Sequence, residues 1–257
     1  MLNKYILEKS QINTIRPIPL KIHVIWHTEE LPNNMKINLN KLIDDNPEFN
    51  INFYDIKDCQ NFINKYFGDK VLETYNSLIP YAYKSDLARL CILYIQGGIY
   101  LDIKYTCVNN FKFIYLTDKE YFVLSRIYKT NNIEKLFKNN DYGIYNGLII
   151  VKPYNKFIIK CIKKIISNVK NKYYGYKELY PTGPGLLGNI YFKYFKILKL
   201  LKIKLFHIYD YNEKKFFITY KKLPILKYYS NYYDEQLLSS DIPNYDLLFK
   251  MKNIYNK

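Results

Sequence analysis

The sequence predicts an α/β fold, and three observations carry that prediction. Strand-like and helix-like segments follow one another in the order strand, helix, strand, helix, helix, strand. Hydrophobic content is 49% and charged content 24% over 257 residues, the balance of a soluble globular chain with a sizeable core. No run approaches the roughly 18 apolar residues of a membrane span, so none is expected.

Residues 1–18 read as a leader or short helix with no strong pattern, and no secretory signal is visible. "LKIHVIW", Leu20 to Trp26, is β-branched and apolar, hence a buried strand. A polar loop, "HTEELPNN", leads to a helix from about Met35 to Asp45, stopped at Asn46-Pro47. "FNINFYD" alternates apolar and polar and reads as a second strand. "DCQNFINKYFG" reads as a helix closed by Gly68.

The segment "SDLARLCILYIQGGIYLDIK" comes next. Ser85 is a candidate N-cap, and Leu87, Leu90, Cys91, Tyr94 and Ile95 share one helical face. Gly97-Gly98 ends this helix, and "IYLDI" is a short strand. "EYFVLSRIY" and "GIYNGLIIV" read as strands and "NKFIIKCIKKIISNV" as an amphipathic helix. "PTGPGLLGNIYFKYF" is a Pro/Gly loop leading into another helix, and the final third alternates Lys-rich strand-like and loop pieces. No internal repeat or domain-splitting linker is visible.

Charge narrows the function classes. The formal net charge is +16, which suits an anionic partner or a Lys-rich solvated surface. Only Arg16, Arg89 and Arg126 are arginines, a poor inventory for reading phosphates or base edges, so no specific nucleic-acid partner is expected. Tyr, Lys, Asn and Ile are abundant throughout and are read as a coding bias. Cys59, Cys91, Cys107 and Cys161 form no C-x-x-C pair and no zinc pattern, so reduced thiols and a cytoplasmic setting are expected.

Scarce residues collect where strands end, and in open α/β sheets ligands sit beyond the carboxyl ends of strands. Trp26, the only tryptophan, closes the first strand between His23 and His27. It is either core or a stacking platform for a nucleotide base. His23 reads as structural from its place in mid-strand, while His27 and Thr28 lie in the loop beyond. Asp86 and Arg89 are three apart on one helical face. They are either a surface ion pair or, on the helix's first turn, a pair aimed into the crevice to hold sugar hydroxyls or a diphosphate. Asp102 follows Gly-Gly at a strand end, where a hard cation takes carboxylates together with phosphate oxygens. "TGPG", with Gly183, is a plain turn into a helix or a loop whose amides approach a phosphate.

The pieces "IPLKIHVIWHT", "NPEFNINFYDIKDCQNFI", "YKSDLARLCILYIQGGIYLDI" and "TGPG", in that order over about 18–188, resemble the DXD-motif glycosyltransferases. That group includes initiating mannosyltransferases, capsule sugar transferases and, more remotely, glucosylating clostridial toxins. The resemblance implies a GT-A fold: a single Rossmann-like nucleotide-sugar-binding domain with a mixed central sheet. It would span 1–257, with a donor core at about 18–190 and an acceptor or closing region at about 191–257. It implies a UDP-linked hexose or N-acetylhexosamine donor, Mn²⁺ or Mg²⁺, a glycan or glycoprotein acceptor, and retention of anomeric configuration. Trp26 would stack on the base, with His27 and Thr28 beside it. Asp86 and Arg89 would hold the sugar and diphosphate, and Tyr100 and Asp102 would sit at ribose, sugar and metal.

One position departs from that pattern. The family motif ends Asp-x-Asp, whereas here the second place is Lys104. A lysine ammonium cannot ligate a cation. The expectation carried forward is a metal on Asp102, completed by a distal carboxylate and the diphosphate. His207, Asp210, Asp234 and Asp241 are candidates for the late ligand. Lys104 replacing the metal at the diphosphate, and Lys104 pointing away from a degenerate site, are the alternatives. A non-catalytic basic module for polyanions is the rival class.

Overall fold

A computed structural model of the chain describes residues 16–126, 142–194, 205–210 and 215–256. Most of the expected leader, and residues 195–204, lie outside the described residues. The first strand is β1 (Lys21–Ile25), followed by α1 (Asn33–Asp45), β2 (Asn50–Tyr54), α2 (Ile56–Phe67), α3 (Asp69–Ser77) and α4 (Tyr81–Gln96). The chain continues through β3 (Gly98–Leu101), β4 (Tyr105–Cys107), β5 (Tyr121–Arg126), β6 (Tyr142–Val151), α5 (Lys156–Lys170) and α6 (Pro184–Tyr194). It closes with β7 (Leu205–Asp210), β8 (Lys215–Tyr220), β9 (Leu223–Tyr228), α7 (Tyr232–Ser239) and α8 (Tyr245–Lys250).

The strands form one mixed sheet of nine, in the order β2-β1-β3-β6-β5-β7-β8-β9-β4. β1 pairs in parallel with β2 and β3, and β6 joins β3 antiparallel. Both faces are covered. Tyr100 and Ile149 point to the side of α4 and α5, while Ile99, Leu101, Leu148 and Ile150 point to the side of Met35, Leu42 and Phe113. This period-two alternation, with an apolar cluster on each face, builds a three-layer α/β core.

The α4 helix begins at Tyr81 after Pro80, not at Ser85. A proline at this boundary presets φ for the chain's turn into a helix. Ser85, Asp86 and Arg89 therefore sit beyond the first turn. Nor does α4 bury a single stripe: every residue from Asp86 to Leu93 is buried. It packs against α2, α3, α5, α8, β1 and β3, so no side faces solvent along that stretch.

The Gly97-Gly98 pair meets two close approaches at positive φ. A Cβ on Gly97 would lie 2.6 Å from Pro153 Cδ, and one on Gly98 2.6 Å from the Lys21 carbonyl oxygen. Gly97 also donates its N–H to the Leu93 carbonyl, ending α4. Only glycine meets both demands, and the turn aims β3 directly at Asp102. The C-terminal third departs from expectation, since it contributes the helices α7 and α8 as well as strands.

Candidate active site

Asp102 follows β3 at the head of a tight turn in which the Tyr105 N–H donates to the Asp102 carbonyl at 3.1 Å. The turn is held on several sides. The Asp102 N–H donates to the Gly147 carbonyl at 2.8 Å, and the Tyr229 N–H to that of Lys104 at 3.0 Å. From α1, the buried Asn38 amide donates to the carbonyls of Ile103 and Tyr105, both at 2.9 Å. Such fixed backbone dipoles hold the carboxylate before any ligand arrives.

Both oxygens of Asp102 accept from cations. Oδ1 receives Arg89 and the Tyr100 hydroxyl, each at 3.0 Å. Oδ2 receives the Lys104 ammonium at 2.9 Å, with the Tyr145 hydroxyl at 3.5 Å. Burial pushes the Asp102 pKa up, but Lys104 and Arg89 outweigh it and hold the carboxyl well below its ordinary value. Burial works against the Lys104 ammonium too, and Asp102 overcomes it.

Lys104 is also caged by rings. Its Nζ lies 4.9 Å from the ring centre of Tyr228 and 5.8 Å from those of Tyr105, Tyr145 and Tyr232. Distances of about 6 Å or less suit cation–π attraction. The ammonium is thus held in one place by a carboxylate and four tyrosines drawn from β4, β6, β9 and α7.

Arg89 ties the cluster together. It lies over the Tyr100 ring at 4.3 Å, and donates to the Ser85 carbonyl at 3.0 Å and the Asn146 carbonyl at 2.8 Å. Its remaining nitrogen lies 3.3 Å from Asp86. Asp86 is set behind Arg89. Its oxygens accept from the Asn146 amide and the Thr182 hydroxyl, both at 2.7 Å, and burial pushes its pKa up.

A cleft of about 770 Å³ opens over this cluster, within the range of about 300–1,000 Å³ usual for ligand sites. Trp26, His27, Arg89, Tyr100, Asp102 and Lys104 all line it, so the structure brings together six of the nine residues expected at the donor site. Trp26 is buried, and its indole N–H has no acceptor among the described residues. His27 stacks on Tyr81 at 4.6 Å. Asp86, Thr28 and Gly183 do not line the cleft: Thr28 is exposed and bonded to the Glu30 carbonyl, and Gly183 lies against Asp86.

The opposite wall comes from α7, α8 and the segment between them, including Tyr232, Gln236, Ser240 and Tyr245. Three contacts moor it. His27 bonds the Ser239 carbonyl at 2.8 Å, and Tyr81 donates to Asp241 at 2.7 Å. Glu235 accepts from the Asn34 and Met35 amides at 2.8 and 3.0 Å, capping α1.

Sequence reasoning missed Asn146, Thr182, Tyr145, Gly147 and the wall from α7 to α8. Gly147 carried a usable signal, as one of few glycines, inside an apolar strand. A Cβ there would lie 2.6 Å from Asp102 Oδ2 and 2.5 Å from the Tyr145 hydroxyl.

A divalent cation does not fit this donor set, contrary to the expectation of Mn²⁺ or Mg²⁺ on Asp102. A hard cation needs unoccupied carboxylate oxygens, and here both carry cationic donors. Among the described residues no group of three or more His, Cys, Asp or Glu is placed to hold a metal. The expected late ligands do not complete one. His207 is stacked 4.0 Å from Tyr145, Asp241 accepts from Tyr81, and Asp234 is exposed on α7, while the Asp210 side chain lies outside the described residues.

Comparisons with known proteins bear on the fold and on residues 22–123. A mimivirus protein (Acanthamoeba polyphaga mimivirus), named as an uncharacterized glycosyltransferase, is 37% identical over 95 residues, 36% of this chain and 38% of its own length. The match thus spans well under half of that relative. The solved PaToxG glycosyltransferase superposes with a TM-score of 0.53 at 21% identity, over 78% of this chain and 79% of that one, which places the fold among GT-A-like glycosyltransferase domains. The ligand-free glycosyltransferase domain of the YGT toxin aligns more loosely, with a TM-score of 0.42 at 11% identity over 61% of this chain and 64% of its own. Residues 22–123, which hold β1, α4, Asp102 and Lys104, match the glycosyltransferase sugar-binding region containing the DXD motif. By this region the chain resembles the DXD-motif glycosyltransferases, and by its fold the GT-A-like glycosyltransferase domains.

Proposed function

We propose that the protein transfers a sugar from a nucleoside diphosphate, UDP first among them, to a hydroxyl of a glycan or protein, working as one unit built on the nine-stranded sheet. The carrying observation is the Arg89–Asp102–Lys104 cluster at the floor of the cleft, inside the DXD-family region. In the reaction the bond from the anomeric carbon to the diphosphate oxygen breaks, its electron pair leaving on the diphosphate. A bond to the acceptor oxygen forms, and the acceptor's proton passes to the departing diphosphate or to water. The cost lies in charge building on the leaving group, which fixed cations in a water-poor cleft offset.

The residues divide the work. Trp26, which lines the cleft, offers a ring face for the base. Arg89 and Lys104 supply positive charge at the floor, Tyr100 and Asp102 set their positions, and Asp86 orients Arg89 from behind. The wall from α7 to α8 is suited to the acceptor side. The four cysteines are free thiols, and no described helix is long and apolar enough to cross a membrane; we place the enzyme in the cytoplasm.

Calorimetric titration with UDP- and GDP-sugars tests the reading, followed by release of free sugar or transfer to hydroxyl acceptors. Saturable binding of one nucleotide sugar is expected. If no sugar nucleotide binds, the reading falls.

A further inference from the structure

The metal does not fit, and a lysine ammonium stands beside the carboxylate in its place. The Lys104 ammonium stands at Asp102 Oδ2, in the motif position where the family has its second aspartate. Asp86 and Asp102 face Arg89 and Lys104, so the cluster is formally neutral. With aspartate at 104 it would carry two negative charges, the deficit that one divalent cation cancels. A lysine has the same net charge as an aspartate with a divalent cation bound to it. We infer that this chain binds the diphosphate of its donor without a metal ion, the Lys104 ammonium serving as the built-in cation.

Three features support this beyond charge. Lys104 lines the cleft and keeps part of its side chain exposed, so it borders the space a ligand would fill. Its position is fixed by Asp102 and by the rings of Tyr105, Tyr145, Tyr228 and Tyr232, so little order need be gained on binding. And an ammonium carries three N–H donors, of which Asp102 engages one, leaving donors for phosphate oxygens. The rings exclude water without competing as acceptors, which strengthens attraction to an anion.

The inference rests on the glycosyltransferase reading, and the experiment separates the two. UDP and GDP are titrated into the whole chain, once with excess EDTA and once with Mn²⁺. Mn²⁺ alone is titrated in a third run. Affinity for the preferred nucleotide is expected to agree within about threefold between the first two runs, with no saturable Mn²⁺ site. Lys104→Met keeps the stem among the tyrosines and removes the charge, and should weaken nucleotide binding in EDTA by about 10- to 100-fold, the worth of a charged hydrogen bond. Lys104→Asp should bind nucleotide only when Mn²⁺ is added. Nucleotide binding by the unaltered chain that is lost in EDTA and restored by Mn²⁺ would overturn the inference and leave the glycosyltransferase reading standing. Unchanged affinity in Lys104→Met would likewise overturn it. If neither nucleotide binds in either condition, both fall together.

Discussion

The Lys104 ammonium and the Arg89 guanidinium grip opposite oxygens of Asp102, at 2.9 and 3.0 Å. One partly buried carboxylate thereby keeps two cations apart and in place. Asp102→Asn keeps the shape but leaves those cations facing each other unbalanced. Removing one side of a buried charge pair costs about 3–5 kcal/mol. The urea midpoint should drop with little change in slope, and sugar-nucleotide turnover should fall by at least about 100-fold. Turnover that survives in Asp102→Asn would place the reacting centre elsewhere.

Gly147 tests the same centre through shape alone. A methyl group there would overlap Asp102 Oδ2 and the Tyr145 hydroxyl. Gly147→Ala must push the carboxylate off its partners or bend β6, at a cost of about 1–3 kcal/mol. Thermal melts and nucleotide affinity should both decline. Wild-type behaviour in both would mean that the strand gives way freely.

The Thr182 hydroxyl reaches Asp86, which reaches Arg89, so the "TGPG" loop acts on the cluster from behind. Thr182→Val leaves one oxygen of a buried carboxylate without a donor, worth about 1–3 kcal/mol. Thr182→Ser should restore most of that loss. Failure of serine to rescue would show that the methyl group matters and the hydrogen bond does not.

The parts of this site that the sequence made legible share a cause. Trp26, Arg89 and the Gly-Gly pair are rare residue types in a chain biased toward Tyr, Lys and Asn, so their placement carried information. The residues that were missed are common types. Asn146, Tyr145, Tyr228 and Tyr232 are indistinguishable in sequence from dozens like them, and they reach Lys104 or Arg89 only through long-range pairing such as β4 on β9. The start of α4 was misplaced because Ser85 is a good cap by type, while Pro80 made the earlier start possible. The metal expectation followed the motif. Which partner a lysine chooses is decided by the tertiary structure, and here it chose Asp102.

Trp26 tests the proposed base site. Its side chain lines the cleft beside His27, and stacking on a base contributes about 1–3 kcal/mol. Trp26→Phe retains a smaller face, and Trp26→Ala retains none. Nucleotide affinity should fall in the order wild type, Phe, Ala. Equal affinity in all three would make Trp26 plain core.

Acid should weaken the fold through its buried histidines. His23 is fully buried, with Nε2 3.0 Å from the Gly97 carbonyl and Nδ1 3.3 Å from the Tyr54 hydroxyl. Nε2 therefore carries the proton and Nδ1 accepts, so the ring is neutral. Burial pushes its pKa down to about 4, and that of His207 down to about 3. Below the ordinary value of about 6.5 the unfolded chain takes up protons that the folded chain refuses. Stability from His23 is then complete above that value and declines as pH falls toward 4, by about 2 kcal/mol between pH 7 and pH 5. His207 and the depressed Asp102 act in the same direction, Asp102 at lower pH. Asp86, raised by burial, opposes them, since its protonation favours the fold. Urea midpoints at pH 7 and 5 measure the difference. His23→Gln, whose amide can still donate to Gly97, should shrink it, and an undiminished difference in that variant would assign the acid loss to other groups.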